Sequence, residues 1–266
     1  QKIIKIWERT LKKFENKTVI ITGGAGGIGL AAGRLFAKQG AHVLLVDLNE
    51  KELVTATEKI NDAEKVSYYV ADVTQEAQVN NYVNVAIERY GSIDCFINNA
   101  GIEGVVAPII DSPTEHFDQV IAVNVRGVWL GLKYVIPNML KNGGGRIVMT
   151  SSLAGIKGTA NISPYVTSKH AVVGMMRSVS QEYAAQGIRI NTVNPAPIET
   201  RMMRSLETGF APGAEAAAKE QLNKMMPMGR YGEPEEVASL MAFLCSDEAS
   251  YCTGGVYSVD GGASAI

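Results

Sequence analysis

The sequence predicts an α/β fold of the doubly wound class, a parallel sheet with helices on both faces. Three observations point there. Short runs that are apolar throughout alternate with helical stretches from residue 18 onward. Strands of that kind, rather than alternating ones, belong to sheets covered on both sides. A glycine-rich loop, TGGAGGIG at 22–29, lies between the first strand and the first helix. The 266 residues, 46% of them apolar, suit one domain with an ample core, and no linker, repeat or low-complexity tract divides them.

The elements follow in order. Residues 1–16, QKIIKIWERTLKKFEN, stand apart as an N-terminal extension. Ile4, Trp7, Leu11 and Phe14 recur at helical spacing, which predicts a short amphipathic helix. Docking on the body of the protein is favoured over a membrane surface, because Glu8 and Glu15 share the polar face with the lysines. The opening glutamine suggests that the natural chain begins earlier. A single domain is expected over 17–266. TVIIT (18–22) is a first strand, followed by a helix over 27–39. AHVLLVD (41–47) is the second, followed by a helix to about residue 60. KVSYYVAD (65–72), SIDCFINNAG (92–101), GGGRIVMTSS (143–152), IRINTVNP (188–195) and VYSVDGG (256–262) continue the series, with long helical segments between them. The stretch from about 196 to 229 is expected to be a lid. Within it MMRSLETGFAPG (202–213) reads as loop and AEAAAKEQLNKMM (214–226) as helix. Methionines and alanines around a loop suggest an adaptable apolar cover. Methionines that simply fill the core are the competing reading.

Composition excludes several classes. The net charge of −2 offers no basic surplus for nucleic acid. No uninterrupted apolar run approaches the roughly 18 residues of a membrane span, and no secretory signal pattern is expected at the N-terminus. Cys95, Cys245 and Cys252 are odd in number and form no C-x-x-C, which argues against a disulfide framework or a zinc site. Reduced thiols fit a cytoplasmic protein. His42, His116 and His170 are scattered without ligand spacing, so no metal is expected.

The glycine loop carries the first chemistry. Gly24, Gly26 and Gly29 fit G-x-G-x-x-G, while Gly23, Gly27 and Gly29 fit G-x-x-x-G-x-G, and the register stays open. In either register, small residues let the backbone approach a pyrophosphate at a helix N-terminus, where free N–H groups and the dipole favour anions. Asp47 ends the second strand, 18 residues after Gly29. A carboxylate there can accept hydrogen bonds from the ribose hydroxyls of NAD and would repel the 2′-phosphate of NADP. The second chemistry is YVTSK at 165–169. Tyr165 and Lys169 are four residues apart and share one helix face.

TGGAGGIG, NNAG (98–101), the Ser151–Ser152 pair and YVTSK, in this order and spacing, resemble the short-chain dehydrogenase/reductase family over residues 17–262. The resemblance implies a seven-stranded parallel Rossmann sheet. It implies cofactor contacts at Gly23, Gly27, Ile28 and Gly29, at Asp47 and Leu48, and at Asp72 and Val73. Asn99 would hold the cofactor ribose and the central strand, and Ile198 and Thr200 would meet the nicotinamide. Asn124, Ser152, Tyr165 and Lys169 would be catalytic, with Tyr165 and Lys169 also touching the cofactor. Ser151 should face away from Ser152. Ala196 departs from the family, which usually has glycine there.

A ketone that accepts hydride becomes an alkoxide and needs a proton. Free tyrosine, with a pKa of about 10, is a poor base at neutral pH, and a neighbouring cation lowers that value. Tyr165 is therefore expected to be the general acid/base, tuned by Lys169. Ser152 would donate to the substrate oxygen, and Asn124 would anchor a water that relays protons from Lys169. The expected reaction interconverts a secondary alcohol and a ketone with NAD, the substrate being a small molecule, hydrophobic or cyclic. Glu103 reads either as a polar contact for that substrate or as a rim charge. An NADPH-dependent 3-oxoacyl-thioester reductase, a polyol or sugar dehydrogenase and a non-enzymatic NAD(H)-binding regulator are the alternatives. Relatives of this length commonly form tetramers through helices at about 115–140 and 163–186, so a homotetramer is expected.

Overall fold

Aliphatic runs make the strands, and turn residues end them. In the computed structural model, which describes residues 12–265, the strands are β1 (Thr18–Thr22), β2 (His42–Asp47), β3 (Val66–Val70), β4 (Cys95–Asn98), β5 (Gly145–Thr150), β6 (Ile188–Pro195) and β7 (Val256–Val259). They form one parallel sheet of seven strands in the order β3-β2-β1-β4-β5-β6-β7. The order reverses between β1 and β4. In open α/β sheets ligands bind at that switch point, outside the carboxyl ends of the strands.

The helices are α1 (Gly27–Lys38), α2 (Glu50–Ile60), α3 (Glu76–Tyr90), α4 (Thr114–Ile121), α5 (Val128–Lys141), α6 (Ser163–Tyr183), α7 (Arg201–Phe210), α8 (Glu215–Met225) and α9 (Pro234–Cys245). The two-residue period of β1 divides the core. Val19 and Ile21 join Phe36 of α1 and Met241 of α9 on one face. Ile20 joins Tyr82 of α3, Met139 of α5 and Met176 of α6 on the other. Each such aliphatic or aromatic side chain contributes roughly 1.5–3 kcal/mol when fully buried.

The structure differs from the sequence reading in four places. The predicted strands over-run: the tails carrying Asp72, Asn99 and Ser152 leave the sheet as loops. The segment read as lid loop is the helix α7, because Thr200 caps it by accepting the Met203 N–H at 3.5 Å and its apolar residues recur at helical spacing. A π-helical turn, Ala122–Gly127, joins α4 to α5. The continuous helix Thr114–Lys141 is long and apolar enough, by length and composition, to cross a membrane; its buried stripe of Leu130, Val135 and Met139 packs into the sheet core.

Residues 1–11, which carry most of the predicted amphipathic helix, lie outside the described residues. Phe14, the last apolar position of that pattern, is buried and meets the Phe36 ring edge-on at 4.8 Å between centroids.

Candidate active site

The carboxyl ends of β1, β2, β4, β5 and β6 converge on one crevice. Ser163 and Pro164 start α6, and proline suits a first helical turn because no N–H partner is needed there. The next residue is Tyr165. Its phenol and the Lys169 ammonium share one helix face, with Nζ 5.5 Å from the centre of the tyrosine ring. Lys169 is only 3% exposed and donates to the Thr150 carbonyl at 2.9 Å.

Burial sets the charge states here. It pulls Lys169 down to about 8. It pushes Tyr165 up to about 12, partly offset by a hydrogen bond with Ser152 and reinforced by the Glu103 carboxylate. Among the chain's own groups, then, desolvation outweighs any lowering of the phenol by Lys169, the effect the sequence suggested. The ammonium is engaged by Thr150 O instead.

The two serines, just past the end of β5, point different ways. Ser151 is buried and donates to the Lys169 carbonyl at 2.9 Å, away from the crevice. Ser152 faces the phenol; its Oγ accepts the Ala154 N–H at 3.1 Å and donates to Pro195 O at 3.5 Å. Asn124 sits in the π-helical turn and is fully buried. Its Oδ1 accepts the Ile102 N–H at 2.8 Å, and its Nδ2 donates to Ile102 O at 2.8 Å and to Ser168 Oγ at 3.0 Å. A Cβ on Gly101 would stand 3.3 Å from both Asn124 Oδ1 and Lys169 Nζ, so the two polar groups border one small space.

The glycine loop has a defined geometry. Gly23 adopts φ 64°, a left-handed conformation that favours glycine, and a Cβ there would meet Asn99 Nδ2 at 2.9 Å. A Cβ on Gly27 would strike Thr200 Cγ2 at 2.9 Å, and one on Gly29 would overlap the Gly23 carbonyl, whereas Gly26 has room at 3.4 Å. Gly24 is crowded too, its Cβ 2.9 Å from Leu45 Cβ, so the G-x-x-x-G-x-G register is marked by the left-handed angle at Gly23, the crowding at Gly27 and the room at Gly26. Ile28 lies in the first turn of α1, which has no acidic residue to repel an anion. The Asp47 carboxylate accepts the Ala25 N–H at 3.1 Å and the Leu48 N–H at 2.8 Å, tying the end of β2 to the loop. Leu48 is 68% exposed, an apolar face at the crevice end. Asp72 Oδ1 accepts the Thr74 N–H and hydroxyl, each at 2.8 Å, and Val73 packs where a Cβ on Gly127 would be.

Asn99 binds three strands together. Its Nδ2 donates to Thr22 O at 3.1 Å and its Oδ1 accepts the Thr150 hydroxyl at 3.0 Å. The Ile198 side chain points into the core, so contact with a cofactor there falls to its main chain. Ala196 needs no glycine: among the described residues, only asparagines are non-glycine residues with positive φ. These residues fit a dinucleotide: a glycine turn at a helix N-terminus, an adjacent carboxylate and an exposed apolar side chain.

Sequence reasoning missed three supporting residues. The Thr22 hydroxyl accepts the Asn99 and Ala100 N–H groups at 3.0 and 3.1 Å. Ser168 links Asn124 to the Tyr165 carbonyl, to which it donates at 2.7 Å. Buried Asn194 donates to Ser152 O at 2.8 Å. Thr22 and Asn194 are polar side chains at the ends of apolar strands, which was their signal, and Ser168 lies inside YVTSK on helix α6. The wall facing Tyr165 is apolar: Ala154, Ile162 and Leu206, with Val106, Met202 and Met203 packed around them. Met202 and Met203, in the segment expected to be a lid, pack against this cluster.

Comparison with known proteins agrees with this geometry. The family model described as enoyl-(acyl carrier protein) reductase matches residues 23–264. Levodione reductase of Leifsonia aquatica is 42% identical over 257 residues, 95% of this chain and 96% of that protein. A 3-oxoacyl-[acyl-carrier-protein] reductase of Thermotoga maritima is 39% identical, over 94% of this chain and 98% of its own length. Cyclohexanol dehydrogenase of Acinetobacter sp. is 38% identical, over 94% and 95%. Among solved structures, levodione reductase superposes with a TM-score of 0.93 at 41% identity, covering 95% of this chain and 99% of the other. NAD+-bound xylitol dehydrogenase gives 0.88 at 33% identity, covering 93% and 99%.

Proposed function

The chain belongs to the short-chain dehydrogenase/reductase family and is an oxidoreductase, and from that premise we propose that it uses NAD(H) to interconvert a hydrophobic or cyclic secondary alcohol and its ketone. The observation that carries this reading is the buried Tyr165–Lys169 pair facing a wall of Ala154, Ile162 and Leu206. NAD(H) supplies or accepts the hydride. The chain supplies the proton. In the reducing direction the Tyr165 hydroxyl, a phenol at neutral pH, gives its proton to the substrate oxygen. Ser152 donates a hydrogen bond to that same oxygen, steadying its developing charge. Lys169 and Asn124, bordering one space, return the proton from solvent. In the oxidising direction the relay runs in reverse: Tyr165 first passes its phenol proton to solvent through Lys169 and Asn124, and the resulting phenolate takes the proton of the substrate hydroxyl.

Asp47 supports NAD over NADP, because a 2′-phosphate would meet its carboxylate. The apolar wall and the relative named for cyclohexanol support a ring substrate. The free cysteines support a reducing, cytoplasmic setting. Exposed Phe117 and Trp129 on α4 and α5 support assembly into a homotetramer. One observation favours a second reading, an NADPH-dependent 3-oxoacyl-thioester reductase. Lys51 and Lys59 line the groove beside Ala25–Gly27, together with an Arg201–Glu52 ion pair, and a further phosphate would find the two lysines there. Nicotinamide absorbance with NAD(H) and NADP(H) in parallel decides between them, over cyclic ketones, secondary alcohols, polyols and oxoacyl thioesters. Turnover of a cyclic ketone with NADH supports the first reading. Preference for NADPH with a thioester overturns it.

A further inference from the structure

Helix α7 has two faces with opposite duties. Its front carries Met202, Met203 and Leu206 toward Tyr165. It lies so close to the loop after β4 that a Cβ on Gly209 would stand 2.5 Å from Val106 Cγ2. Its back carries Glu207, a carboxylate only 2% exposed.

A carboxylate buried to that degree must be paired. Glu207 Oε1 accepts the Tyr231 hydroxyl at 2.9 Å and pairs with Arg204 Nη2 at 3.2 Å. The same arginine nitrogen reaches Glu199 Oε2 at 2.7 Å, and Lys219 of α8 pairs with the other oxygen of Glu199. The Tyr231 ring, itself buried, has the Arg204 guanidinium 5.6 Å and the Lys219 ammonium 5.3 Å from its centre. Two carboxylates and two cations balance around one phenol. The unit stands where the lid leaves and rejoins the body: Glu199 N–H donates to Gly232 O at 2.9 Å, and Gly232 N–H donates to Pro197 O at 3.0 Å.

No element of the proton-transfer chemistry uses these groups, yet they fix the helix whose other face walls the substrate space. We propose that Glu207 and Tyr231 are positioning residues for substrate selection, which hold α7 at a set depth over Tyr165 and so suit the crevice to compact ring substrates. The inference rests on the reading of Tyr165 as the acid/base and of α7 as the substrate wall.

Steady-state kinetics at saturating NAD(H) test it, with a compact ring ketone (cyclohexanone) and a bulky one (2-decalone). Tyr231→Phe removes the hydroxyl and leaves Glu207 held by Arg204 alone. The expected result is a KM for cyclohexanone raised about tenfold with kcat changed less than about twofold, because lost substrate fit is lost uniform binding. The KM for 2-decalone should change little, and so should that for NAD(H). Glu207→Gln should give the same pattern, and the double variant should be no worse than the single ones, as expected of groups acting as one unit. Lys219→Met, at a more exposed arm of the cluster, should shift the ratio of the two KM values in the same direction and guards against a Tyr231 variant that does not fold. An unchanged ratio in all folded variants, even with lowered melting temperatures, overturns the proposal. Tyr165→Phe separates the two levels. If it retains full turnover, the site reading itself fails. If it is inactive while the ratio stays fixed, only the positioning role fails.

Discussion

At the residue scale, the central fact is that Lys169 and Tyr165 are both buried and move in opposite directions, to about 8 and about 12. Ketone reduction needs the phenol protonated and is aided by a charged Lys169. Lys169 has the lower value, so its charge is present at acid and neutral pH and is lost as pH rises through about 8. The kcat/KM for reduction should be level below that point and fall above it. Replacing lysine by methionine should abolish this inflection; a profile with the same break in Lys169→Met would separate the lysine from the pH effect. The same variant should lose about a hundredfold or more in turnover, the usual scale of acid/base assistance, while circular dichroism shows the native helix content. The sequence offered these residues as candidates but not the balance of forces on them. The spacing of Tyr165 and Lys169 puts them on one face, whereas the depth of burial that overrides their mutual influence is set by strands far away in the chain.

At the element scale, the loop between β1 and α1 is built around contacts a side chain would break. A methyl group on Gly29 would overlap the Gly23 carbonyl. Overpacking of this kind costs about 1–3 kcal/mol, so Gly29→Ala should raise the Kd for NADH about tenfold or more, read by the fluorescence of the bound nicotinamide. Unaltered affinity would show that the loop does not carry the cofactor. The existence of this loop was legible, but its register was not: five glycines in TGGAGGIG satisfy two templates that share Gly29, and the backbone angle at Gly23, the crowding at Gly27 and the room at Gly26 separate them. The π-helical turn was not legible at all. Nothing in AVNVRG distinguishes a wider turn from an ordinary one; Asn124 needs its place between Ile102 and Ser168, and that requirement comes from tertiary contacts. Helix α7 was missed for a related reason. Its methionines were read as those of a mobile apolar cover, while in the fold the segment is helical and its charged residues Arg204 and Glu207 pair with one another.

At the scale of the whole molecule, the alternation of apolar strands and helices was enough to foresee the parallel sheet, because strands covered on both faces have no polar side to display. The strand order was another matter, since the pairing of β1 with β4 joins segments more than seventy residues apart and leaves no local trace. The association of chains is testable at this level. Light scattering should give a mass about four times 28.5 kDa, and Trp129→Glu, on the exposed side of α5, should shift it to a smaller species; a monomer in the unmodified protein would refute the tetramer. The pairing of Ile198 with Gly232 has a consequence of its own. The segment between them departs and returns at one point, like a cassette clipped into a fixed frame. Its length and composition can vary through evolution, or by grafting, without disturbing the register of any strand, so that a new diet of substrates can be acquired while the machinery of proton transfer is inherited intact.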